Sequence, residues 1–307
     1  MSPPLKLSDA LSKDELSSLR RKSDFKAAVT LLWTWGLIVA AFAIAIAWTN
    51  PFTIILGIVI LGGRQLGLGI INHDCAHSAF FKNKAVNEFA GQWLAAVPIN
   101  SSLAGYRAYH LEHHKHAGTE KDPDLIFVKN YPVSSESLKR KFMRDLTGQT
   151  GFRDTKRKLQ NLSLKRNKGS VAFHILMLAA LTGAGAPWAY LMWWAAEIFV
   201  YPAVVRLRQI GEHGTAKDRS SSDPRLNTGT TIAPWWQKIL IAPNNVNYHL
   251  EHHYLASIPP YNLKRLHGIL SKRGFYDGFD CISYGYGDVL RRAVRKDSPA
   301  NTLLPAE

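Results

Sequence analysis

Two nearly uncharged apolar stretches joined by a tight turn constrain this chain more than any other feature. Residues 27–49 read AAVTLLWTWGLIVAAFAIAIAWT with no charge, and residues 52–72 read FTIILGIVILGGRQLGLGIIN with only Arg64. At about 1.5 Å per residue the first makes a helix of roughly 35 Å, enough to cross a bilayer core of about 30 Å. A second apolar block, 171–205, is interrupted at Thr182-Gly183-Ala184-Gly185-Ala186-Pro187. The pattern predicts an all-α integral membrane protein with about four transmembrane helices in two hairpins, at 27–49, 52–72, 171–186 and 188–205. The segment 171–186 is short, and a re-entrant hairpin is the alternative there. Four buried helices of a soluble core is the competing reading. A soluble domain rarely needs two uncharged hairpins, and Trp33, Trp35, Trp48, Trp188, Trp193 and Trp194 suit interfacial belts. A signal peptide is the competing reading of the N-terminus, and the length of the first run and the polar stretch before it favour a retained span.

Charge predicts the orientation. Six basic residues precede the first span, seventeen lie between Lys82 and Lys168, fourteen follow from Arg206, and Arg64 is the remaining one. The two turns on the other side have none, which puts both termini and the long middle segment in the cytoplasm. The excess of 38 Lys and Arg over 23 Asp and Glu therefore needs no nucleic acid to explain it, and no recognition motif accompanies it. Two cysteines, Cys75 and Cys281, are too few for a disulfide scaffold. The chain reads as one domain, 1–307, whose cytosolic helical cap spans 73–168 and 206–307. Residues 138–168 carry eleven basic residues, with Leu138, Phe142, Met143 and Leu146 at helical spacing. This predicts an amphipathic helix on an anionic membrane face or against an acidic electron carrier.

Nine of the twelve histidines fall in three short stretches. These are His73-Asp-Cys-Ala-His77, His110-Leu-Glu-His113-His114-Lys-His116 and His249-Leu-Glu-His252-His253. Residues three and four apart share a helix face, so each stretch can aim two or three imidazoles at one point. All three lie on the predicted cytoplasmic side. Imidazole suits Fe, Zn, Cu and Ni, and a single zinc takes about four ligands. Eight or nine histidines fit two metal ions with four or five nitrogens each. Nitrogen ligands with open positions are also what oxygen-activating non-haem iron requires. Glu112 and Glu251 sit off the shared faces and are expected to support the histidines rather than bind metal, as is Asp74. Cys75 reads as a small packing residue, and His174 and His267 as structural.

The order His-x3-His, His-x2-His-His, His-x2-His-His resembles the membrane fatty acid desaturase superfamily. The resemblance runs from about Gly62 to His267 and includes Gly63-Arg64-Gln65-Leu66, Asp122-Pro123-Asp124, Asn247-Tyr248 and Tyr261-Asn262-Leu263. It implies a di-iron site in the cytosolic cap, O2 as co-substrate, and electrons from a ferredoxin or cytochrome b5-type donor. It also implies a lipid or acyl substrate taken from the bilayer and given a double bond. The chemistry agrees, because removing hydrogen from an unactivated CH2 needs a metal-centred oxidant.

The boxes supply eight histidines: His73, His77, His110, His113, His114, His249, His252 and His253. A ninth ligand is expected at His213, about two helical turns past the last span, a region where similar desaturases often carry an extra histidine. Gln209, four residues earlier, would share its face and could hold a metal-bound water. His116 lies off the face of His110. Arg64 within a span needs a partner, and Glu197 or a lipid head group is the candidate. Trp235-Trp236 are expected to anchor the third box in the interface. Two other functions compete: hydroxylation or ketolation of a lipid or carotenoid at the same di-iron site, and metal transport. Transporters bind near the bilayer midplane, whereas these histidines lie outside the spans.

Overall fold

The computed structural model describes residues 5–160 and 163–295. The described chain is mostly helical. Its one small sheet pairs Thr230–Thr231 in parallel with Ile282–Ser283.

The first apolar stretch forms α1, Asp24–Ala47, and the second forms α2, Pro51–Ala76. The turn between them is set locally: the Asn50 side chain accepts from the Phe52 and Thr53 amides, and Pro51 opens α2 with its fixed φ. The α2 helix does not stop at the end of the apolar run. It continues to Ala76, so His73 rides on the membrane-length helix itself and His77 caps it.

After short helical turns between Lys84 and Ile99 comes α3, Leu103–His116, started by the Ser102 side chain, and, past a single turn at Leu125–Val128, α4, Ser135–Leu146. The α5 helix, Gln149–Gln160, follows after a break at Thr147-Gly148. The single amphipathic helix expected over 138–168 is thus broken: α4 and α5 cover its start and middle, and its last residues open the next helix at Leu164. Gly148 at φ +83° turns the chain, and Arg206 pairs with the buried Asp145 at the end of α4. Residues 161–162 of that expected helix lie outside the described residues, as do 296–307 of the expected cap.

The second apolar block also departs from expectation. Its first half is the end of α6, Leu164–Gly183. From Val171 to Gly183 the apolar part would be only roughly 20 Å long, against a core of about 30 Å. Its second half begins α7, Pro187–Gly214, which runs past the expected limit at Val205. Among the described residues three helices are long and apolar enough to cross a membrane: α1, α2 and α7. Two π-turns interrupt α7, at Ala196–Val200 and Ile210–Gly214.

The three long helices pack through Ile38, Ala41, Leu61, Leu68, Met192 and Trp193. Trp193, expected in an interfacial belt, is fully buried here, while Trp33 and Trp48 stay exposed. Close approach falls on glycine. A Cβ on Gly62 would lie 2.5 Å from Val200, and one on Gly63 would lie 2.8 Å from the Leu240 backbone.

The Leu240 contact brings in α8, Trp235–Leu240, which leads through Asn244 and Asn245, both at positive φ, into α9, His249–Tyr254. The α10 helix, Pro260–Lys272, follows, and after it come the strand Ile282–Ser283 and a further helix, Tyr286–Arg292. A second core of Leu19, Leu250, Ile258, Leu266 and Phe275 ties two short helices that precede α1, Leu7–Ala10 and Lys13–Arg20, to α9 and α10. It thereby holds the third histidine stretch in place.

Candidate metal centre

The histidines meet where α2 and α7 end, between α3 and α9, and they form two groups. His73, His77, His110, His114 and His252 make one, and His113, His213, His249 and His253 the other. Within each group the candidate ligand nitrogens all lie within 4.8 Å of one another.

Helix geometry explains the sorting. Neighbouring residues point about 100° apart, whereas residues four apart nearly align. On α3, His110 and His114 face the first group and His113 the second. On α9, His249 and His253 face the second group and His252 the first. Each His-His doublet therefore straddles both groups, where the spacing had suggested that each stretch aims at one point. The α2 helix completes the first group with His73 and His77. The α7 helix completes the second with His213.

The Nε2 atoms crowd inward. His114 Nε2 lies 3.0 Å from those of His110 and His252. His249 Nε2 lies 3.0 Å from that of His213 and 3.1 Å from that of His253, which in turn lies 3.3 Å from that of His113. The Nδ1 atoms are held from outside. His73 Nδ1 bonds Asp74 at 2.9 Å, and His113 Nδ1 bonds Asp122 at 2.7 Å. His213 Nδ1 donates to the Asn227 carbonyl at 3.0 Å. A ring that donates through Nδ1 carries a lone pair on Nε2. Those lone pairs face each other, and the buried Nε2 atoms of His73 and His77 have no hydrogen-bond partner at all.

This arrangement fits a metal ion. Two nitrogens bound at about 2.1 Å and at right angles to one ion would lie about 3.0 Å apart, near the separations seen. Burial, followed by the neighbouring histidines, pushes His110, His249, His252 and His253 well below the usual imidazole range, and His114 down to about 3. The rings are therefore neutral and free to ligate. His113 moves the other way. Burial opposes its charge, but the Asp122 hydrogen bond and the charge of Asp124 outweigh it.

The supporting residues differ in part from expectation. Asp74 does hold a box histidine. Glu251 does not; it is buried on the far side of α9, bonded to Thr230 and Tyr276 at 2.5 Å and to His267 at 2.6 Å. Glu112 is exposed and pairs with His116 at 3.3 Å and Lys115 at 3.8 Å, away from both groups. Gln209 lines a separate cavity with Lys158, Glu197 and Tyr201. The π-turn that starts at Ile210 breaks the four-residue register that would have placed Gln209 beneath His213. His174 stacks on Trp194 and contacts Asn100, remote from the groups.

Two carboxylates and one carbonyl were missed. Asp122 stands out in the sequence only as part of Asp122-Pro123-Asp124, although it follows His113 by nine residues. Glu212, buried beside His213, faces His249 Nδ1 at 3.4 Å. No sequence signal pointed to the Asn227 carbonyl. The Arg64–Glu197 pair is not formed. Glu197 pairs with Lys158 at 2.6 Å, and Arg64 reaches backbone carbonyls of α8.

A fatty acid desaturase family model matches residues 49–279. The chain is 25% identical over 294 residues to the sn-1 oleoyl-lipid 12-desaturase of Synechocystis sp., a match covering 87% of this chain and 82% of that protein. It is 25% identical over 243 residues to the dihydrorhizobitoxine desaturase of Bradyrhizobium elkanii, covering 72% and 69%. It is 26% identical over 246 residues to the beta-carotene ketolase of Paracoccus sp., covering 78% and 89%.

Proposed function

This chain belongs to the fatty acid desaturase family, and we propose that it uses two iron ions and O2 to introduce a double bond into a fatty acyl chain of a membrane lipid. Membership makes it an oxidoreductase. The carrying observation is the sorting of nine histidines into groups of five and four at the ends of two membrane-length helices. Under this reading His73, His77, His110, His114 and His252 hold one ion, and His113, His213, His249 and His253 hold the other.

Bound there, iron with O2 supplies an oxidant able to take hydrogen from an unactivated CH2, which no side-chain acid or base can do. The protein's own residues position the ligands. Asp74, Asp122 and the Asn227 carbonyl engage Nδ1 atoms, Glu212 faces another, and the Nε2 lone pairs turn inward. Burial of the rings keeps bulk water out. The apolar surfaces of α1 and α7 suit a substrate arriving from the bilayer. Electrons come from a separate ferredoxin or cytochrome b5-type donor. The absence of basic residues from the two turns supports cytoplasmic termini and a cytoplasmic site.

The test is expression in a host that lacks the product, with mass spectrometry of its lipids and pigments. New acyl lipids lighter by two hydrogens support the proposal. Products heavier by one oxygen, or altered carotenoids alone, assign hydroxylation or ketolation instead. Full activity with zinc alone, or under strict anaerobiosis, would overturn the iron and O2 assignment.

A further inference from the structure

Arg64 lies within membrane-length α2 and is 1% exposed. Its Nη2 donates to the carbonyls of Lys238, at 3.4 Å, and Ile239, near the end of α8. Its Nε is buried without a partner. Carbonyls satisfy donors but carry only partial charge. Arginine does not deprotonate in proteins, and a buried ion without a counter-charge is strongly unfavourable. Among the described residues no carboxylate pairs with Arg64, and Glu197 is engaged by Lys158.

Arg64 lines a cleft of about 380 Å³ between α1, α2 and α8, together with Val29, Trp33, Trp235, Lys238, Asn244 and Asn245. No acidic residue lines it. Lys238 adds a second cation, set over the Tyr248 ring at 5.5 Å rather than against a carboxylate. Burial and then nearby Lys264 hold its pKa below the usual lysine value. The rim is apolar and open: Trp33 is 57% and Trp235 74% exposed. Amphipathic aromatics of this kind sit at head-group depth.

We infer that this cleft binds the phosphate of a membrane glycerophospholipid, with Arg64 and Lys238 as its counter-charges and the acyl chains along Val29 and Trp33. Phosphate is the planar guanidinium's natural partner. A lipid source follows from the rim, because free phosphate gains nothing from exposed Trp33 and Trp235. The inference does not depend on the reaction proposed above.

Native mass spectrometry of the full chain in detergent tests it. The probes are dioleoyl phosphatidylglycerol, a galactosyl diacylglycerol with the same acyl chains, and inorganic phosphate. The phospholipid is expected to bind at least about tenfold more tightly than the galactolipid and to resist displacement by millimolar phosphate. Lys238→Glu should weaken it at least about tenfold, and Lys238→Arg should restore it. Arg64→Gln leaves buried carbonyls without a cation and is likewise expected to lose the adduct. Should that variant fail to fold, the comparison of the two lipids on the wild-type chain still decides. Equal retention of both lipids, unchanged binding in Lys238→Glu, or complete displacement by inorganic phosphate would each overturn the inference.

Discussion

A carboxylate oxygen of Glu212 lies 3.4 Å from Nδ1 of His249, and the next residue in the chain, His213, meets Nε2 of the same ring at 3.0 Å. One π-turn at the end of α7 thus addresses both nitrogens of a histidine that follows 36 residues later. The other Glu212 oxygen is held by Arg208 at 3.1 Å, so the carboxylate is oriented from its own helix. Among the described residues both His249 Nδ1 and the facing Glu212 oxygen are buried without a hydrogen-bond partner, so this approach is their one polar contact with opposite character.

Glu212→Gln keeps the shape and removes the charge. Loss of such an outer partner typically lowers metal affinity about 10–100-fold. The expected outcome is a chain that folds but releases metal to a chelator at that much lower concentration. Metal content after graded dialysis is the measurement, and wild-type retention would assign Glu212 a purely structural place.

His213→Ala leaves three histidines in the second group and five untouched in the first. Metal content should fall from about two ions per chain to about one, with nearly all activity lost. His116→Ala and His174→Ala should keep both ions. His267→Ala should also keep them, yet lower stability by about 1–3 kcal/mol, because buried Glu251 loses a donor held at 2.6 Å. Full metal content and wild-type turnover in His213→Ala would remove it from the ligand set.

Asp145 is fully buried and accepts from Arg206, at 2.9 Å for Nη2, and from Thr150 at 2.7 Å. Breaking a buried pair from one side leaves a charge unmatched and costs about 3–5 kcal/mol. Arg206 retains some solvent contact, so Asp145→Ala should fall near the lower end. Thermal unfolding in detergent checks this, and an unchanged midpoint would show the pair to be neutral.

Reporters fused after Glu307 and inserted at Asn50 should report opposite sides of the membrane, with Glu307 cytoplasmic. The grounds are the absence of basic residues around Asn50 and the six that precede the first apolar stretch at residue 27. A non-cytoplasmic signal at Glu307 would sink the topology.

Local physics, acting between near neighbours in the chain, settles part of this architecture. The length of an uncharged apolar run decides whether a helix can span a bilayer, and α1 and α2 follow from that alone. Spacing of four decides that His110 shares a face with His114, and His249 with His253. Asn50-Pro51 decides the turn. Each depends on neighbours a few residues away. The tertiary structure decided which histidines gather together, because His113 meets His253 across 140 residues and no local period encodes that contact. It also decided that Arg64 reaches α8 and not Glu197, and that Glu251 turns away from the histidines while Glu212 turns toward them. The π-turn at Ile210–Gly214 is the sharpest case. It changes the angular step between residues, so Gln209 does not lie where 3.6 residues per turn would put it, beneath His213. Burial and close helix packing select such a turn, and they act through side chains distant in the sequence.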